Sequence, residues 1–210
     1  MTGYGGCVLP ATTAKEGPRT VPPTPDADPR PLTDEPLGID LLNTRWIDAS
    51  GRHDLLDSLD GLAIWLGSPL VRQALDSAPV PVEEETLQRL LRARAALDEA
   101  IASPRQPGPG AVEALNSVLA HGRTGHRLTA DGPATFTEVD APSWLPAWQA
   151  ARDYLRLLGE RPERIRACGN PECILHFYDV SKNGTRRWCS MAGCGNRAKA
   201  QRHYARTKST

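Results

Sequence analysis

Four cysteines, Cys168, Cys173, Cys189 and Cys194, fall within 27 residues near the C-terminal end, spaced C-x4-C-x15-C-x4-C. Two close pairs joined by a short insert suit a tetrahedral metal site. Each pair sits on a tight turn that aims two sulfurs at one point, and the insert brings the turns together. Gly169, Asn170 and Pro171 in the first pair and Gly193 in the second are turn formers. Disulfides would need an oxidising compartment, and nothing in the sequence indicates export. Redox or catalytic thiols normally show a C-x-x-C pair or a neighbouring histidine base. The pattern therefore favours a structural zinc on four thiolates, with an iron–sulfur cluster as the minor metal reading. Four thiolates leave no position open for water or substrate, so the ion would not be catalytic. His176, three residues after Cys173, is a rival ligand, but the cysteines pair symmetrically without it. It reads as a packed or surface imidazole. Cys7 stands alone and reads as an incidental thiol, and His121 and His126 receive no role.

The second chemical signal is positive charge. Residues 161–210 carry 11 Lys/Arg against 3 Asp/Glu, while the whole chain is neutral. A basic end on an acidic body suits a polyanion, or attraction between the two halves. After Cys194 the spacing predicts a helix. At about 100° per residue with Arg197 as zero, Cys194 lies at about 60°, and Lys199, Arg202 and Arg206 lie at about 200°, 140° and 180°. Arg197 thus faces the metal and is assigned a structural role, bonding knuckle carbonyls or Asp179. Lys199, Arg202 and Arg206 form an outward stripe, to which Lys182, Arg186 and Arg187 add charge. Such a helix can lie on phosphates or enter a major groove. It is equally read as a solvated helix whose late cations complement its negative end.

The elements that position these groups follow from the rest of the chain. Its 210 residues, 40% hydrophobic and 24% charged, allow one medium domain and a small module. No apolar run reaches membrane-spanning length and no signal peptide is evident, so a soluble, cytoplasmic protein is expected. Residues 1–36 include eight prolines and few large apolar side chains, and read as disordered. Residues 37–160 read as a mainly helical domain. Its clearest helix spans about 83–102, with a stripe of Leu87, Leu90, Leu91, Leu97 and Ile101 and a Glu run at its start. Pro69 suits a first helical turn. A small β-hairpin is expected around Asp131-Gly132, and a further helix with Trp144, Trp148, Ala151, Leu155 and Leu158 on one face. Residues 161–210 are too few for a core of their own. The expectation is a zinc-dependent module of knuckle, hairpin and helix, treble-clef-like in outline.

Residues 186–200, Arg-Arg-Trp-Cys-Ser-Met-Ala-Gly-Cys-Gly-Asn-Arg-Ala-Lys-Ala, resemble the CGNR zinc-finger family. Cys168, Cys173, Phe177-Tyr178-Asp179, Ser181 and Asn183 share that resemblance. Residues 37–160 look like its usual partner, the ABATE domain, chiefly through Leu41-Leu42-Asn43-Thr44. The resemblance implies zinc on the four cysteines, DNA as partner, and a stress-response transcription regulator. The family usually has an apolar residue where His176 stands, and the Pro-rich N-terminus also departs from its pattern. The expectation is a DNA-binding regulator whose helical domain senses a small molecule or holds a protein. The alternative is a zinc-stabilised interaction module docking on an acidic partner or on its own body. RNA ranks lower for want of an aromatic array. Catalysis is not expected, because no nucleophile elbow or phosphate-cradling loop is present.

Overall fold

The structure, a computed structural model, describes residues 28–200. The expected disorder over residues 1–27, Cys7, and the basic residues Arg202 and Arg206 lie outside the described residues.

The body is mainly α-helical. Helix α1 (Leu37–Leu42) is buried along its whole length. A hairpin follows, β1 (Arg45–Asp48) with β2 (Gly51–Asp54). Gly51 closes its turn at φ 127°, a region open to glycine and costly for other residues. Helices α2 (Leu59–Gly67) and α3 (Pro69–Ala74) start at Ser58 and Ser68, whose hydroxyls accept from Gly61 and Val71 amides. Pro69 sits in the first turn of α3, as expected. Helix α4 (Glu84–Ile101) buries Leu87, Leu90, Leu97 and Ile101, each leucine contributing about 1.5–3 kcal/mol. Helix α5 (Pro109–Leu119) leads into the expected hairpin, β3 (Gly122–Thr129) with β4 (Gly132–Val139). Helix α6 (Leu145–Glu160) then packs against α1, α4 and α5.

Two expectations are corrected within α6 and ahead of α1. Trp148 and Ala151 of the expected face are buried, as is Trp144 in the turn before the helix, but Leu155 is 50% exposed, and the buried face of α6 continues through Ala147, Ala150, Tyr154 and Leu157. The small alanines let α1 approach closely: a Cβ on Gly38 would sit 2.7 Å from the Ala150 carbonyl oxygen. Residues 28–36, counted with the disordered stretch, are packed on the body. Arg30 is buried and paired with Asp28 and Asp40 at 2.8 Å each. Glu35 is buried and accepts the Tyr178 amide at 2.9 Å. Polar pairing anchors this segment, so counting its few apolar side chains missed it.

The C-terminal module contains a short hairpin, β5 (Ile165–Ala167) with β6 (His176–Tyr178). A wide π-type turn, Met191–Gly195, then runs into helical residues 196–200. Ile165, Leu175 and Phe177 belong to the same buried cluster as the body's leucines. The module thus shares a core with the helical domain.

Candidate metal centre

Cys168 directly follows β5 and Cys173 precedes β6, so the first pair occupies the knuckle of this hairpin. The Cys168 amide donates to the Leu175 carbonyl at 2.9 Å, and the Cys173 amide to Asn170 at 2.9 Å, which closes the turn. Cys189 precedes the π-type turn and Cys194 lies within it. Ser190 caps this turn, its hydroxyl accepting from Gly193 at 3.0 Å. Hairpin and helix start converge.

The four sulfurs lie within 4.8 Å of one another. Cys173 Sγ is 3.8 Å from Cys189 Sγ, which is 3.6 Å from Cys194 Sγ. Four sulfurs about 2.3 Å from a common zinc ion would lie about 3.8 Å apart. The donor set is all sulfur, and its surroundings suit anionic sulfur. The Cys189 amide donates to Cys168 Sγ at 3.4 Å, and Asn170 Nδ2 lies 3.5 Å from Cys194 Sγ. Arg197 Nη2 lies 3.1 Å from Cys194 Sγ. These residues fit a divalent ion.

The thiols themselves show the strain of crowding. Its hydrogen-bond contact with Cys189 brings the Cys173 thiol down to about 5, against the opposing effect of burial. Cys189, on the other side of that contact, is held far above the ordinary thiol range. Burial pushes Cys168 up as well. Cys173 therefore gives up its proton readily, while Cys168 and Cys189 hold theirs. A cation at the centre would remove that conflict, because it stabilises every thiolate at once.

Arg197 faces the sulfurs as its position in the helix predicts, but it bonds Cys194 Sγ rather than knuckle carbonyls or Asp179. Asp179 is buried and organises the insert instead. It accepts from the Ser181 amide at 2.9 Å and the Arg186 amide at 3.0 Å, with Arg166 at 3.4 Å. Burial opposes its ionisation, yet these bonds hold its carboxyl below the usual range.

The expected outward cations divide. Lys182, Arg187 and Lys199 are exposed and pair with no carboxylate among the described residues. Arg187 lies over the Trp188 ring at 5.3 Å. Arg186 does not face outward. Its guanidinium stacks over Phe177 at 4.3 Å, pairs with Glu35 at 2.8 Å and bonds the Cys189 carbonyl at 2.6 Å. The reason is local: a cation that can close the Glu35 carboxylate and the Tyr178, Trp188 and Cys189 carbonyls serves the fold first.

Sequence reasoning missed the residues that join module to body. Asn43 caps α1 and pairs with β6 at both ends: its Nδ2 donates to the His176 carbonyl and its Oδ1 accepts the His176 amide, each at 2.9 Å. The signal was the Leu-Leu-Asn-Thr sequence, whose Asn has no reason to lie at a buried helix end unless its amide is used. His176 is a packed imidazole, as expected, and burial lowers its proton affinity.

Comparison with known families agrees with this architecture. Residues 164–207 match the CGNR zinc finger. Residues 35–161 match the ABATE family, described as "Putative stress-induced transcription regulator". No curated protein matches the chain. With most of its length covered by the second match, the chain belongs to the ABATE family and ends in a CGNR zinc finger.

Proposed function

We propose that the protein is a transcription regulator whose C-terminal module is held by one structural zinc ion and binds DNA. Cys168, Cys173, Cys189 and Cys194 would hold the ion. The carrying observation is a four-sulfur cage in the same small module that leaves Lys182, Arg187 and Lys199 exposed. Arg202 and Arg206 continue the same basic stretch in sequence. These cations would contact phosphates, which position a protein on a duplex without reading its bases. The metal is structural because four sulfurs close its coordination, and no catalytic role is proposed for it or for the chain.

The alternative of docking on an acidic surface gains one specific observation. Arg186 and Asn43 already tie the module to its own body through Glu35 and His176. This contact spends part of the basic charge internally and leaves the Lys182, Arg187 and Lys199 side uncovered by the described residues.

The test is fluorescence anisotropy with duplex DNA at several salt concentrations. Phosphate contacts predict steep weakening with salt. Charge reversal at Arg187 and Lys199 should lower the logarithmic salt slope by about 0.9 per lost contact. The same reversal at Arg202 and Arg206 should act similarly. Salt-independent binding, or an unchanged slope in all four variants, would contradict the reading.

A further inference from the structure

Among the described residues, one carboxylate oxygen is buried with nothing to accept from: Asp40 Oδ2. Asp40 lines a pocket of about 260 Å³ together with Asp28, Arg30, Asp34, Ile64 and Leu70. Its other oxygen, Oδ1, accepts from Arg30 Nη1 at 2.8 Å and from the Trp65 indole at 2.9 Å. Arg30 has little left to offer, since Nε and Nη2 are given to Asp28 at 2.8–3.1 Å. Two carboxylates thus hold one guanidinium, and the more deeply buried of them, Asp40, has a free acceptor. A buried charged acceptor without a donor is costly. The group that would satisfy it is a cationic N–H donor, with Ile64 and Leu70 available to a short alkyl chain. The volume lies below the roughly 300 Å³ where drug-sized pockets begin, so the ligand is small.

We propose that this pocket binds a small primary alkylammonium ion through Asp40 and is the regulator's effector site. Its effector role rests on the reading of the chain as a regulator. The same segment that lines the pocket holds the metal module. Glu35 accepts the Tyr178 amide at 2.9 Å and pairs with Arg186 at 2.8 Å. Asn43, three residues after Asp40, pairs with both backbone groups of His176. Burial chiefly, with the Asp40 charge as a lesser cause, makes Glu35 reluctant to ionise. A cation beside Asp40 relieves that lesser part and strengthens Glu35's hold on Arg186.

The experiment uses the zinc-loaded full chain and no DNA, so a failed DNA-binding assay leaves its result intact. Thermal melting and calorimetric titration are run with propylammonium chloride, against 1-propanol and sodium chloride as controls. The expected result is a saturable rise in melting temperature with propylammonium alone. Asp40→Asn should weaken binding about tenfold or more, the usual cost of a lost charge-assisted contact. Leu70→Trp fills the pocket from a partly exposed wall and removes no partner of the Arg30 pairs, and decides the matter where Asp40→Asn does not fold. Hydrogen exchange at the His176 and Tyr178 amides should slow when propylammonium binds. Equal shifts with propanol or sodium chloride, binding unchanged in both variants, or exchange unaffected by bound propylammonium would overturn the proposal. So would no shift at all, the result if only water fills the pocket.

Discussion

Arg197 and Asn170 are the two side chains that turn a cluster of thiols into a site. Each brings an N–H donor to Cys194 Sγ, at 3.1 Å and 3.5 Å. Outer partners of this kind orient metal ligands and tune their basicity. Arg197→Ala should therefore weaken zinc binding by about 10–100-fold, measured by competition with a chromogenic chelator. Arg197→Lys keeps the charge but loses the planar fork, and should fall between the two. Glu35 gives a prediction of opposite character. Burial raises its carboxyl above the ordinary glutamate value of 4.5, so the folded chain binds that proton more tightly than the unfolded chain. The resulting stabilisation is complete below pH 4.5 and is lost as the pH rises through the folded-state value. Denaturant titrations across pH should show this downward component in the wild type and not in Glu35→Gln.

At the scale of elements, the module and the body are joined by α1 and β6. Asn43→Ala leaves the His176 amide and carbonyl without partners, and should cost about 1–3 kcal/mol in chemical denaturation. Asn43→Asp keeps the acceptor and loses the donor, so it should recover part of that loss. Removal of the metal should unfold residues from the knuckle onward, as seen by proteolysis, while α4 and α6 keep most of the far-UV signal. Helix α4 and the β3–β4 hairpin were legible from sequence because their cues are local: a leucine stripe at helical spacing, and an Asp-Gly turn whose Gly132 adopts φ 113°. The knuckle was legible because paired cysteines allow few geometries. Strands β1 and β2 were not, since Arg-Trp-Ile-Asp and Gly-Arg-His-Asp lack apolar alternation. Their support is distant, with Arg94 of α4 holding Asp54 at 2.6 Å and Thr44 at 2.8 Å. Arg186 was misread for the same reason, because its partner Glu35 lies 151 residues away.

The whole molecule is an acidic helical body that shares its core with a small basic module. This arrangement explains how so short a C-terminal segment stays folded. A metal ion held by the four sulfurs would fix one side, and Ile165, Leu175 and Phe177 anchor the other. It also explains why only part of the positive charge is available to a partner. Arg164 bonds the Asp179 and Ser181 carbonyls at 2.7 Å and 2.5 Å, and Arg186 faces the body. No helix among the described residues is long and apolar enough to cross a membrane. The most direct measurement of the central claim is zinc-edge X-ray absorption on the purified chain, with metal content determined in parallel. Four sulfur scatterers at about 2.3 Å and one zinc per chain are predicted. A first coordination sphere containing nitrogen or oxygen, or a folded module with no bound metal, would contradict it.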